Sequence, residues 1–72
     1  MTARWVRDGD DWLVAVPTSE GVPRGPVRVA RVRPVGVSCV HVHPTPWGER
    51  AIDGVPHTLY DVDDDPLCAD IA

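Results

Sequence analysis

Apolar and polar residues alternate in several short segments of the chain, and a period of two is typical of half-buried β-strands. Residues 12–16 are apolar throughout, and as a strand they place Trp12, Val14 and Val16 on one face, which is the expected core face. Residues 8–11 separate it from the shorter segment of residues 4–7 and contain an Asp-Gly pair. Asp-Gly is a strong hairpin signal because glycine accepts positive φ. We therefore predict a β-hairpin over residues 4–16.

Two valine-rich segments follow a loop of proline and glycine at residues 17–26. The alternation in residues 27–33 and again in residues 35–43 changes phase midway. A β-bulge near Ala30-Arg31 and another near Ser38-Cys39 would bring the valines of each segment to one face. Bulges in neighbouring strands are typical of a small, strongly curved barrel.

The next stretch predicts a turn followed by a second hairpin. Residues 44–48 hold two prolines and a glycine and predict the turn. Residues 49–62 predict the hairpin, with Asp53-Gly54 as its two-residue loop. Pro56 indicates that the second strand of this hairpin starts late or lies at a sheet edge.

The end of the chain differs in character from the rest. Residues 63–72 begin with a run of aspartates, and Asp65-Pro66 is typical of a helix start. We predict one small β domain over residues 1–62 and an acidic linker with a short helical or frayed tail over residues 63–72. The predicted fold is all-β, with five or six antiparallel strands curled into a partly open, SH3-like barrel.

Composition supports this fold and limits the function. The chain has 72 residues, with thirteen valines, eight prolines and no phenylalanine. Valine fits strands better than helices. A chain of this length excludes a two-domain enzyme or a deep cofactor fold. No nucleophile-elbow or phosphate-loop motif is present, and we therefore expect a protein that is not an enzyme.

Charge and cysteine content bear on partners and location. The formal net charge is −4, with +2 in residues 1–33 and −6 in residues 34–72. A net acidic chain is a poor non-specific binder of nucleic acid. No apolar run reaches the ~20 residues of a membrane span, and charges interrupt any signal-peptide core. We expect a cytoplasmic protein without a membrane partner, with Cys39 and Cys68 as free thiols. A disulfide between Cys39 and Cys68 is the alternative if the compartment is oxidising.

The spacing of one cysteine and three histidines is compatible with a metal-binding site. In a regular strand Cys39, His41 and His43 share a face, and His57 on a neighbouring strand would complete a tetrahedral set. Zinc would also stabilise a small domain. The chain lacks the paired Cys-x-x-Cys motif of secure zinc sites. Two interpretations stay open, a zinc-stabilised domain and histidines that simply face solvent.

The same histidines take part in a resemblance. His41-x-His43 with Glu49 and Gly54 is similar to a loose version of the first cupin motif. The second cupin motif is missing, and 72 residues are too few for a cupin barrel. No metal or catalytic role follows from it.

A basic stripe predicts an alternative function. Its members are Arg24, Arg28, Arg31 and Arg33. Small barrels bind single-stranded nucleic acid through cations combined with exposed aromatic rings, and Trp5 and Trp12 lie one hairpin away. A solvated outer strand face explains the same arginines.

We predict a non-enzymatic protein-interaction module or an accessory subunit of a larger assembly. The partner is another protein or a second copy of the chain, because open sheet edges can pair. Tryptophan and arginine dominate the energetics of interfaces. Trp47 and Arg50 are therefore the predicted contact residues.

Overall fold

The structure is a computed structural model that describes residues 3–23, 25–29 and 38–65. It confirms the all-β prediction: the described residues form five antiparallel strands in a strongly curled half-barrel, consistent with a small SH3-like barrel. The strand order in the sheet is β1-β2-β5-β4-β3. The strands are β1 Arg4–Asp8, β2 Asp11–Pro17, β3 Pro26–Val29, β4 Ser38–Ile52 and β5 Val55–Asp64, with a 3-10 turn at Thr18–Glu20.

Both predicted hairpins are confirmed, and both have two-residue loops. Asp8 pairs with Asp11 in the first, and Gly9 has a φ of 62°. In the second hairpin Asp53 and Gly54 both have positive φ, 52° and 78°. Two consecutive positive φ angles define the type I′ turn, whose twist matches that of the flanking strands.

Gly54→Ala tests how much this turn contributes. An added Cβ would meet nothing within 4 Å, so the cost arises from the positive φ alone. We expect the substitution to destabilise the domain by about 1 kcal/mol, measured by urea denaturation. Gly48→Ala, in β4, is the control, because Gly48 has no positive φ and its Cβ also meets nothing within 4 Å. An equal loss at both positions would contradict the role of the turn.

The core lies on both sides of β2. The larger cluster includes Val14 and Val16, with Trp12 packed against it, which confirms the predicted core face. Leu13 and Ala15 point to the other face and are also buried, in a second cluster. The sequence predicted only one buried face. The second exists because β2 lies between β1 and β5 in a sheet that curls.

The predicted turn at residues 44–48 is wrong, because β4 continues through it. The register against β5 shifts between Val42 and Pro46 and again between Pro46 and Gly48. Extra residues on one strand bend it locally. Prolines without an N–H interrupt the ladder but keep the chain extended, so the segment becomes a bend within a strand.

The two predicted bulges have different outcomes. Ser38 and Cys39 pair with β3 in regular register, so the bulge predicted there is wrong. The bulge at Ala30-Arg31 lies outside the described residues.

Pro56 does not mark an edge. β5 lies between β2 and β4 and starts at Val55. Pro56 is opposite Ala51 on β4, whereas the pairing with β2 begins one residue later, at His57. Ile52 and Val55 flank a two-residue loop and form the hydrogen-bonded pair, so the nitrogen of Pro56 points away from β4. Pro56 therefore removes no backbone hydrogen bond between β5 and β4.

The start of the predicted tail belongs to the sheet. β5 runs to Asp64, and the next residue, Asp65, is buried and donates its backbone N–H to the Cys39 carbonyl at 3.3 Å. The helix expected after it lies outside the described residues. Cys39 is disulfide-bonded, so the prediction of a free thiol there is wrong. The only other cysteine of the sequence, Cys68, lies outside the described residues.

Candidate functional site

The sheet leaves an opening between β1 and the second half of β4. β1 is an edge strand. β4 pairs with β3 only over Ser38–His41, whereas residues 46–52 pair with β5. The curl of the sheet brings β1 and residues 46–52 near each other, so that side chains but no ladder connect them. We call this region the β1–β4 opening.

Two predicted contact residues meet in this opening. The indole Nε1 of Trp47 donates to Asp8 Oδ2 at 3.0 Å. Arg50 donates to the backbone carbonyl of Arg7 at 3.0 Å and lies 3.4 Å from Asp8 Oδ1. Asp8 therefore holds both side chains in place, although Trp47 remains 54% exposed.

A second bridge crosses the opening closer to the β4–β5 turn. Arg4 Nη1 lies 3.4 Å from Asp53 Oδ2, and both side chains are exposed. Ion pairs of this kind are screened by solvent and contribute little stability. The ion pair therefore shows that Arg4 and Asp53 lie close together, but it contributes little to the stability of the fold.

A groove of about 480 Å³ runs along the opening. Four of its seven lining residues are apolar and three are arginines. The guanidinium of Arg7 lies 5.4 Å from the ring centroid of Trp12. The lining residues are Arg4, Trp5, Val6, Arg7, Trp12, Arg50 and Ile52.

The four residues predicted as zinc ligands do not converge. His41 is opposite Asp63 on β5, whereas His57 lies six residues earlier on that strand, about 20 Å away at strand rise. The Cys39 sulfur is already in a disulfide. Within the described ranges, no three His, Cys, Asp or Glu residues group in a way that would hold a metal. The predicted ligand set is therefore wrong.

The three histidines differ in exposure and in the groups that they contact. His41 and His43 face outward, and their side chains are 51% and 44% exposed. His43 Nε2 lies 3.0 Å from Asp63 Oδ2, and His41 Nε2 lies 3.3 Å from an oxygen of Asp65. His57 is buried, and its Nδ1 lies 2.7 Å from the Val55 carbonyl. His41 and His43 therefore contact carboxylates, whereas His57 contacts the backbone of its own strand.

The structure describes one of the four arginines of the predicted basic stripe. Arg28 is exposed on β3, while Arg24, Arg31 and Arg33 lie outside the described residues. Trp5 is only 3% exposed and Trp12 is partly buried, with the guanidinium of Arg7 beside its ring. The aromatic platform expected for single strands is therefore missing at Trp5.

Sequence reasoning missed Asp8, the residue that links Trp47 with Arg50. Asp8 was assigned only to the hairpin turn, 39 positions before Trp47. Its sole sequence signal is an acidic residue at the end of an edge strand. Only the curl of the sheet reveals that it faces β4.

Comparisons of the chain with protein-family models, with curated proteins and with solved structures found no match. In the part of the chain that the structure describes, no helix has the length and apolar character needed to cross a membrane.

Proposed function

We propose that the protein is a non-enzymatic interaction module that binds a protein partner at the β1–β4 opening. The observation that carries the proposal is Trp47, which is more than half exposed yet fixed by its hydrogen bond to Asp8. An exposed aromatic side chain held in one position loses little conformational entropy on binding. Large aromatic residues in such positions are typical binding anchors.

The neighbouring groups support a protein partner over a nucleic acid. The groove at the β1–β4 opening is lined by apolar side chains and by residues of β1, which is an edge strand. Edge strands are the elements to which an extended peptide segment adds through backbone hydrogen bonds. The net charge of −4 opposes binding of a phosphate backbone. The buried ring of Trp5 removes a stacking surface.

The proposal also concerns the cellular compartment in which the protein acts. The sequence predicts a cytoplasmic protein, but disulfides persist mainly in oxidising compartments. The bond at Cys39 therefore favours an oxidising site of action over the cytoplasm.

Photo-crosslinking tests the proposed surface. A photoreactive amino acid at position 47 should yield one discrete adduct in cells that make the protein, because position 47 faces the partner. The same amino acid at position 22 is the matched control, since Val22 is 52% exposed on a different part of the surface. Mass spectrometry of the adduct identifies the partner. Adducts of equal yield at both positions, or none at 47, would refute the proposal.

A further inference from the structure

Three of the four arginines that the structure describes line the groove at the β1–β4 opening. Arg4 and Arg7 lie on β1 and Arg50 lies on β4, whereas the fourth, Arg28, lies on β3 at the other end of the strand order. The chain as a whole has a net charge of −4. The groove is therefore a local concentration of positive charge on an acidic protein, and such a patch attracts anionic groups.

The two arginines of β1 keep hydrogen-bond donors for a ligand. Arg4 lies 3.4 Å from Asp53, and both side chains are exposed. Arg7 donates from Nε to the Gly9 carbonyl at 3.2 Å. Each of these contacts takes one of the five N–H donors of a guanidinium, and exposed ion pairs are exchanged at little cost. Arg4 and Arg7 are therefore placed to bind a carboxylate, which pairs with a guanidinium through two parallel hydrogen bonds.

Arg50 adds positive charge on the β4 side of the groove. It donates to the Arg7 carbonyl at 3.0 Å and lies 3.4 Å from Asp8 Oδ1. Asp8 and Asp53 are the two carboxylates that contact the three arginines. Three positive charges against these two negative charges leave a formal charge of +1 at the opening.

Aliphatic side chains lie beside these cations. Val6 and Ile52 line the same groove and are only partly buried, packed against the smaller core cluster. Val6 is two residues from Arg4 on β1, so the two side chains share one face of the strand. A ligand in the groove therefore meets cationic and aliphatic groups next to each other, which fits an acidic side chain that stands beside an aliphatic one.

A neighbouring pocket opposes a long polyanion on this surface. The pocket has a volume of about 410 Å³ and shares Trp5 and Trp12 with the groove. Its other lining residues include four aspartates, Asp10, Asp11, Asp63 and Asp64. A chain of phosphates that extended across Trp12 would approach these carboxylates, and like charges repel. A short acidic segment of a protein contacts the groove without reaching them.

We propose that the groove binds a protein segment in which carboxylate side chains stand next to aliphatic ones. Arg4 and Arg7 bind the carboxylates, and Val6 and Ile52 contact the aliphatic side chains. The proposal rests on the proposed function, because it names the chemistry of the partner at the same opening. It requires no backbone hydrogen bond to β1, since side chains make all of these contacts.

A pair of short synthetic peptides tests the ligand chemistry. The first peptide places two glutamates beside two leucines, and the second has glutamine at both glutamate positions. In a titration of the ¹⁵N-labelled full chain, the glutamate peptide should shift the amide signals of residues 4–7 and 50–52. The glutamine peptide should bind about tenfold more weakly or worse, because it lacks the charged hydrogen bonds. Equal affinity for the two peptides, or no shift in the groove, would overturn the proposal. An oligothymidylate that binds the groove more tightly than the glutamate peptide would overturn it in favour of nucleic acid.

Arg4→Gln tests whether the groove arginines bind the carboxylates. The exposed position makes the substitution mild for the fold, and circular dichroism confirms that the variant is folded. Affinity for the glutamate peptide should fall about three- to tenfold, with no change for the glutamine peptide. Arg28→Gln is the matched control, because Arg28 is an exposed arginine on β3. An equal loss in both variants would show that net charge decides binding and would overturn the site.

The two proposals fail in different ways. If position 47 yields its discrete adduct but the glutamate peptide does not bind the groove, the partner chemistry is wrong and the interaction module stands. If position 47 yields no adduct and neither peptide binds, both are wrong. A discrete adduct at position 47, together with a loss of affinity in Arg4→Gln for the glutamate peptide alone, supports both.

Discussion

Trp5→Ala is expected to lower the free energy of unfolding by about 3–5 kcal/mol, whereas Trp47→Ala is expected to change it by less than about 1 kcal/mol. The two substitutions remove the same side chain from opposite environments. Trp5 is 3% exposed and belongs to the larger core cluster, while Trp47 is 54% exposed. The loss at Trp5 combines lost burial with a cavity that the surrounding valines fill only in part.

Urea denaturation followed by tryptophan fluorescence and by circular dichroism measures both effects. A domain of this size has a total stability of about 4–11 kcal/mol, so the Trp5 variant should be close to unfolded at room temperature. The Trp47 variant is its control and should retain the wild-type midpoint. Similar losses for the two variants would show that Trp47 is a core residue and would remove the anchor from the proposed interface.

Breaking the disulfide at Cys39 is expected to cost about 2–4 kcal/mol. The cross-link restricts the unfolded chain, and its removal restores conformational entropy to that state. Cys39 lies on β4 beside buried Val40, and its carbonyl accepts the N–H of buried Asp65. Breaking the disulfide therefore removes a restraint at the place where the start of β4 meets the end of β5.

Thermal unfolding of the wild type with and without reductant measures this effect. Cys39→Ser should melt at the temperature of the reduced wild type and should not respond to reductant. Ala51→Ser is a control for the added hydroxyl, because Ala51 lies on the same strand and is exposed. A wild type whose melting temperature is indifferent to reductant would show that the disulfide does not hold the fold.

The parts of the fold that the sequence could predict are those coded by neighbouring residues. Asp53-Gly54 favours a turn with two positive φ angles, and the short apolar segment that starts at Trp12 favours a strand. Both signals act within a few residues, and the structure confirms both. Pro44 and Pro46 gave an equally local signal for a turn, but pairing with β5 keeps the chain extended there. A ladder between distant strands overrides a local preference.

The candidate site could be predicted only in part for the same reason. Residue type alone identified Trp47 and Arg50, and the structure brings them together at Asp8. Their meeting depends on the curl that carries β1 toward β4, which no short motif encodes. The histidine set fails for the same reason, because no short motif reveals which parts of neighbouring strands meet. His57 pairs with Arg50 near the start of β5, whereas His41 lies opposite Asp63 near its end.

The order of strands in the sheet has a consequence for how the chain folds. Each hairpin closes across two residues, so both can form early and independently. In the described residues the ladder that joins them is β2 against β5, which pairs Val14 with Tyr60 across 46 positions of sequence. Closing so long a loop costs entropy before any contact compensates for it. We therefore expect the docking of the two hairpins to be the slow step of folding.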